Sequence, residues 1–136
     1  MLDAFGGSGA FSLEAISRGA KSSTIIEIDR TAHNSIVENI KSLELEDNMK
    51  ATRANVSSWS DNNPNQKFDI VFCNPPFDKL KLPLIQKLTK HVKRGMLFVL
   101  SWPTRQSAPQ IPGLDLTTVK EKDYGDAQLV FYRKTE

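Results

Sequence analysis

The sequence predicts an α/β fold: a mostly parallel sheet with helices on both faces, ending in an antiparallel hairpin. Three observations predict it. Short β-branched or aromatic runs alternate with stretches of helical apolar spacing. A glycine-rich turn, Asp3-Ala4-Phe5-Gly6-Gly7-Ser8-Gly9, joins the first strand to the first helix. The last two strand-like runs have no helix between them, so they can pair only as antiparallel neighbours. A length of 136 residues suits a single domain, 1–136.

Leu2 and Asp3 end the first strand. A helix is predicted from about Ala10 to Arg18, with Leu13 and Ile16 inward and Gly19 closing it. Thr24 to Ile28 reads as a buried strand, and Thr31 to about Leu43 as a helix presenting Ile36, Val37, Ile40 and Leu43. Met49 to Ala54 is a weaker strand, and Ser57 to Gln66 a polar loop with room for a helical turn. Phe68 to Cys73 is a strong strand ending at Asn74-Pro75-Pro76-Phe77. A helix from about Pro83 to Arg94 carries Leu84, Ile85, Leu88 and Val92, with Gly95 as its cap. Met96 to Ser101 is a strand, and Leu116 to Glu121 and Gln128 to Arg133 form the hairpin around Tyr124-Gly125-Asp126. Only Met1 and Leu2 precede the turn where a buried strand has about five apolar residues, so the chain is expected to begin inside its first strand.

Composition narrows the function classes. With 39% hydrophobic and 25% charged residues and no apolar run of about 18, neither a membrane span nor a signal peptide is predicted. The single cysteine, Cys73, precludes an internal disulfide and fits a reducing, cytoplasmic setting. His33 and His91 have no metal-ligand spacing to a partner, so no metal is expected. Lys79, Lys81, Lys87, Lys90, Lys93 and Arg94 occur with no acidic residue among them. They read either as the C-terminal, dipole-favoured face of a helix or as a phosphate-facing patch.

The glycine turn brings backbone close to a ligand at a helix N-terminus. No Gly-Lys-Ser/Thr follows, which excludes a P-loop, and Ser12 stands where a dinucleotide fingerprint has its third glycine. Asp3 at the lip of the turn repels a pyrophosphate but suits the ammonium and sulfonium of S-adenosyl-L-methionine. Glu27 and Asp29, about twenty residues beyond Gly7, can accept hydrogen bonds from ribose hydroxyls. Asp29 equally suits a helix cap, and Asn55, placed to meet an adenine edge, equally suits a turn.

The Asn74-Pro75-Pro76-Phe77 loop is the more specific motif. Its prolines fix the backbone at the carboxyl end of a strand, where open α/β sheets bind ligands. The Asn74 side-chain carbonyl and the Pro75 main-chain carbonyl can together grip both hydrogens of a planar amine, and Phe77 offers a face for stacking a base. Such a grip localises the amine lone pair and aims it at a methyl donor.

Over essentially its whole length the chain resembles the bacterial 16S ribosomal RNA guanine-N2 methyltransferases that modify the small subunit. Leu2 to Ala10 and Leu13-Glu14-Ala15-Ile16-Ser17-Arg18-Gly19-Ala20 carry the resemblance, with Ile26-Glu27-Ile28-Asp29-Arg30 and the Leu116 to Arg133 hairpin. The resemblance implies a class I methyltransferase, a Rossmann-like three-layer sandwich, acting as a monomer with S-adenosyl-L-methionine on ribosomal RNA or the small ribosomal subunit. It implies that Asp3, Phe5, Gly7, Ser8 and Gly9 line the methionine end, Glu27 with Asp29 the ribose and Asn55 the adenine. Asn74, Pro75, Pro76 and Phe77 would hold the guanine. Two departures stand out: Asn74 replaces the family's usual aspartate, and the family's basic segment before the first strand is absent. Asparagine there is similar to adenine-N6 and glutamine-N5 enzymes. A non-catalytic RNA-binding module and, more remotely, an NAD-dependent oxidoreductase complete the alternatives.

Overall fold

The computed structural model of the protein describes residues 1–74, 82–103 and 116–135. Contacts divide the chain into two units, Met1–Asn62 and Asn63–Glu136.

The first unit runs β1 (Leu2–Asp3), α1 (Ala10–Ser17), β2 (Ser23–Ile26), α2 (Arg30–Ser42), β3 (Met49–Thr52) and α3 (Val56–Asn62). Its strands are parallel, with β2 between β1 and β3; Leu2 pairs with Thr24 and Ser23 with Met49. Ile25, Ile36, Ile40 and Met49 form the buried core, against which Leu13, Ile16, Leu45 and Ala51 pack. Removing their apolar surface from water is what holds these short elements together.

Three expectations change here. β2 stops at Ile26, and Ile28 is 58% exposed, because the chain turns outward after Glu27 to enter α2. The Glu27 main chain stays tied to β3, its N–H donating to the Thr52 carbonyl at 3.0 Å. Leu43 caps the end of α2 instead of packing beneath it, and is exposed. The polar loop begins as a helix, α3, because Val56 and Trp59, three residues apart, are buried on one side of it.

The second unit runs β4 (Phe68–Cys73), α4 (Leu82–Thr89), β5 (Val92–Pro103), β6 (Leu116–Tyr124) and β7 (Ala127–Lys134). β4 and β5 are parallel; β7 pairs antiparallel with β5 and with β6. The hairpin closes with the two-residue loop Gly125-Asp126 between the paired Tyr124 and Ala127, Gly125 supplying a φ of 66°. Parallel strands alternating with helices, followed by an antiparallel pair, are the architecture the sequence predicts.

The predicted helix over Pro83 to Arg94 is the main correction. α4 ends at Thr89, and Val92 already pairs with Phe68 as the first residue of β5. The register passes from Phe68↔Val92 to Ile70↔Leu97, so two residues of β4 are spanned by five of β5. Gly95, at φ 81°, lies in this bulge and is no helix cap.

Lys87 thus sits in the last turn of α4, while Lys93 and Arg94 are strand residues. Lys93 pairs with Asp69 at 3.0 Å, and Arg133 Nη1 donates to the Gly95 carbonyl at 2.6 Å. The Lys134 amine donates to the Thr89 carbonyl at 2.9 Å, and the Lys67 amine donates to that of Lys90. Cations therefore gather at the carboxyl end of α4, where exposed carbonyls and the helix dipole favour them. Lys79 and Lys81 lie outside the described residues. Among the described residues no helix is long and apolar enough to cross a membrane.

Candidate functional site

Parallel register brings the carboxyl ends of β1, β2 and β3 to one edge of the first unit, and Asp3, Glu27 and Asn55 all lie at or just beyond those ends. The turn after β1 is pressed onto β2: Gly6 donates its N–H to the Ile26 carbonyl at 2.9 Å. A Cβ on Gly6 would lie 2.3 Å from Ile25 Cγ2, a methyl held on the branched Cβ of a fully buried side chain, so only glycine fits. The chain then doubles back, Gly9 N–H donating to the Gly6 carbonyl at 2.8 Å, with Gly7 and Gly9 at φ 58° and 79°. Gly9 opens α1 without a side-chain cap; Ser8 Oγ accepts from Ala10 N–H at 3.3 Å. Gly7 and Ser8 are exposed and Phe5 is half-buried.

Glu27 braces the turn. One carboxylate oxygen accepts from Gly7 N–H at 2.7 Å and the other from Asp29 N–H at 2.8 Å. A carboxylate offers about four acceptor positions, so each oxygen retains capacity for a further donor, the pattern that two adjacent hydroxyls require. Asp29 caps α2, accepting from Ala32 N–H at 2.8 Å, and Asn55 Oδ1 accepts from Ser58 N–H at 3.1 Å at the start of α3. Both therefore have the capping role that the sequence left open for Asp29 and the turn role it left open for Asn55.

Asp3 departs from expectation. It does not stand exposed at the lip: it is 1% exposed beneath the turn and accepts from Ser12 Oγ at 2.8 Å. Burial pushes its carboxyl up to about 6 from 3.8; the Ser12 hydrogen bond opposes the rise and the charge of Glu27 adds to it. Because the folded-state value lies above the unfolded one, this group costs stability as pH rises from about 4 to about 6, and the cost is complete above that. Asp3→Asn is accordingly expected to stabilise the protein by about 2–3 kcal/mol at pH 8 and by nearly nothing at pH 4. Urea unfolding at both pH values checks this; equal stabilisation at the two would contradict it.

In the second unit, Asn74 follows directly after β4 and is exposed, one residue beyond the Cys73↔Leu100 pair. Pro75, Pro76 and Phe77 lie outside the described residues. The two histidines have structural surroundings. His33 Nε2 lies 3.3 Å from the Ala51 carbonyl. His91 is buried with Nδ1 2.7 Å from the Gln66 carbonyl, and burial lowers its pKa.

Sequence reasoning missed Ser12 and Ser23 as part of this site. Ser12 is fully buried and its Oγ lies 2.8 Å from that of Ser23 as well as from Asp3. The available clue was a small hydroxyl residue in place of the third glycine, on the inner side of α1.

The family described as conserved hypothetical protein 95 matches residues 1–133. Ribosomal RNA small subunit methyltransferase D of Buchnera aphidicola is 31% identical over 135 residues, covering 96% of this chain and 69% of that protein. A solved conserved hypothetical protein of Streptococcus pyogenes superposes with a TM-score of 0.87 at 28% identity, over 98% of this chain and 84% of that one. The fold extends to a transfer RNA methyltransferase of Methanocaldococcus jannaschii, with a TM-score of 0.76 at 21% identity over 99% of this chain and 44% of that one. A family match over nearly all of the sequence, a relative of that identity and a fold shared with methyltransferases lead to one conclusion: the chain belongs to the conserved hypothetical protein 95 family, that of ribosomal RNA small subunit methyltransferase D.

Proposed function

We propose that the chain transfers a methyl group from S-adenosyl-L-methionine to the exocyclic N2 amine of a guanine in 16S ribosomal RNA. One observation carries the choice of cofactor: two carboxylates border the glycine turn, Glu27 accepting from its Gly7 N–H and Asp3 buried beneath it. A pyrophosphate would meet both negative charges, whereas a methionine ammonium and a sulfonium are attracted by them. The residues present fit S-adenosyl-L-methionine. Glu27 has acceptor capacity for the ribose hydroxyls, Gly7, Ser8 and Gly9 allow close approach of the methionine end beside Phe5, and Asn55 with Asp29 flanks the adenosine.

When bound, S-adenosyl-L-methionine supplies an electrophilic methyl group on sulfur. Asn74 and the Pro75 carbonyl accept the two amine hydrogens, favour a pyramidal nitrogen and stabilise the positive charge that develops on it. Phe77 stacks the base and fixes its plane. Family membership and the Asn74-Pro75-Pro76-Phe77 sequence support this acceptor; ribosomal RNA, as naked chain or assembled small subunit, is the partner, and the cytoplasm the compartment. Asn74 in place of aspartate favours adenine-N6 or glutamine-N5 methylation as the second reading, since an amide accepts a hydrogen bond but takes no proton.

The test is transfer of a labelled methyl group to small-subunit particles, naked ribosomal RNA, DNA and a glutamine-containing release-factor peptide. Label in the first two supports the proposal; label confined to DNA or peptide, or absence of S-adenosyl-L-methionine binding in calorimetry, contradicts it.

A further inference from the structure

Three polar side chains, one each from β1, α1 and β2, meet in the interior of the first unit: Asp3, Ser12 and Ser23, with exposures of 1%, 0% and 2%. Ser12 Oγ lies 2.8 Å from Asp3 Oδ2 and 2.8 Å from Ser23 Oγ. An ionised carboxylate only accepts, so the single hydroxyl hydrogen of Ser12 is committed to Asp3, and its oxygen must accept from Ser23. The two hydrogen bonds therefore point the same way, toward Asp3, and each strengthens the other. Should Asp3 take up a proton, it can donate to Ser12, and Ser12 can turn its hydrogen to Ser23. Only hydrogens move, and every polar group keeps a partner in both states. The other group acting on Asp3 is Glu27, whose charge opposes ionisation; α1 presents Ser12 to it, and β2 presents Ser23 behind Ser12.

We propose that Ser12, backed by Ser23, is a positioning residue that fixes the Asp3 carboxylate and sets the pH range over which the chain holds S-adenosyl-L-methionine. The proposal rests on the reading that Asp3 faces the cationic methionine end. Ionised Asp3 attracts that end and protonated Asp3 does not, so cofactor affinity falls as pH drops through the Asp3 midpoint. Ser12 and Ser23 hold that midpoint down against burial and against Glu27.

The experiment follows the Asp3 carboxyl by ¹³C NMR titration of the cofactor-free protein. In parallel, calorimetry measures S-adenosyl-L-methionine affinity across the same pH range for the parent, Ser12→Ala and Ser23→Ala. Ser12→Ala is expected to move the Asp3 midpoint up by about one pH unit or more, the scale of a hydrogen bond to a charged acceptor. The pH at which affinity falls should move with it. Ser23→Ala keeps the direct bond and should move both the same way by less, which preserves the test if the first variant folds poorly. An Asp3 midpoint that does not move, or a loss of affinity equal at every pH, overturns the proposal. A midpoint that moves under an unchanged affinity profile overturns it too, and specifically removes Asp3 from the cofactor site.

Discussion

Asn74→Ala is expected to lower the rate of methyl transfer by about 10²–10³-fold, the scale of removing one group that stabilises charge developing in a transition state. The affinity for S-adenosyl-L-methionine should stay within about twofold, because Asn74, the residue after β4, is assigned to the acceptor amine and not to the cofactor. Exposure of Asn74 means that no core contact is lost, so thermal stability should hardly change. Single-turnover transfer and calorimetry together check the split. A large loss of cofactor affinity would show that Asn74 serves the donor, not the acceptor. Asn74→Asp restores the residue usual in the family resemblance, keeps an acceptor oxygen and should retain most of the rate.

Glu27→Ala is expected to weaken S-adenosyl-L-methionine binding by about 1.5–3 kcal/mol, roughly 10- to 150-fold, as hydrogen bonds to a charged acceptor are lost. The Gly7 and Asp29 N–H groups lose their partner as well, which loosens the turn before any ligand arrives. Glu27→Gln keeps one acceptor oxygen and should fall between parent and alanine. Burial is the main cause of the raised Asp3 pKa, and the same substitution removes the charge that adds to it, so the Asp3 midpoint should drop. Binding that is unchanged in both variants would take Glu27 out of the ribose site.

Much of this fold is legible in the sequence because its determinants are local. β4 is recognisable from Phe68 to Cys73 alone, and the glycine turn and the Gly125-Asp126 hairpin announce themselves by residue type. Gly95 was misread because a positive φ serves a helix end and a strand bulge equally; only the Phe68↔Val92 and Ile70↔Leu97 partners distinguish them. Leu84, Ile85, Leu88 and Val92 share a helical spacing, yet Val92 belongs to a strand, since apolar spacing cannot show where a helix yields to its neighbour. In the candidate site, Glu27 was legible from its distance beyond Gly7, and Asp29 from capping chemistry. Ser12 was not, because its partners are 9 and 11 residues away and meet it only once β1 and β2 are paired. The burial of Asp3 was hidden for the same reason.

The proposed reaction stands or falls on the chemical identity of the acceptor nitrogen. The decisive measurement is to incubate the protein with labelled S-adenosyl-L-methionine and small-subunit ribosomal RNA or particles, digest the RNA and separate its nucleosides. Label is expected in N2-methylguanosine alone. Label in N6-methyladenosine, or in protein with none in RNA, would contradict it.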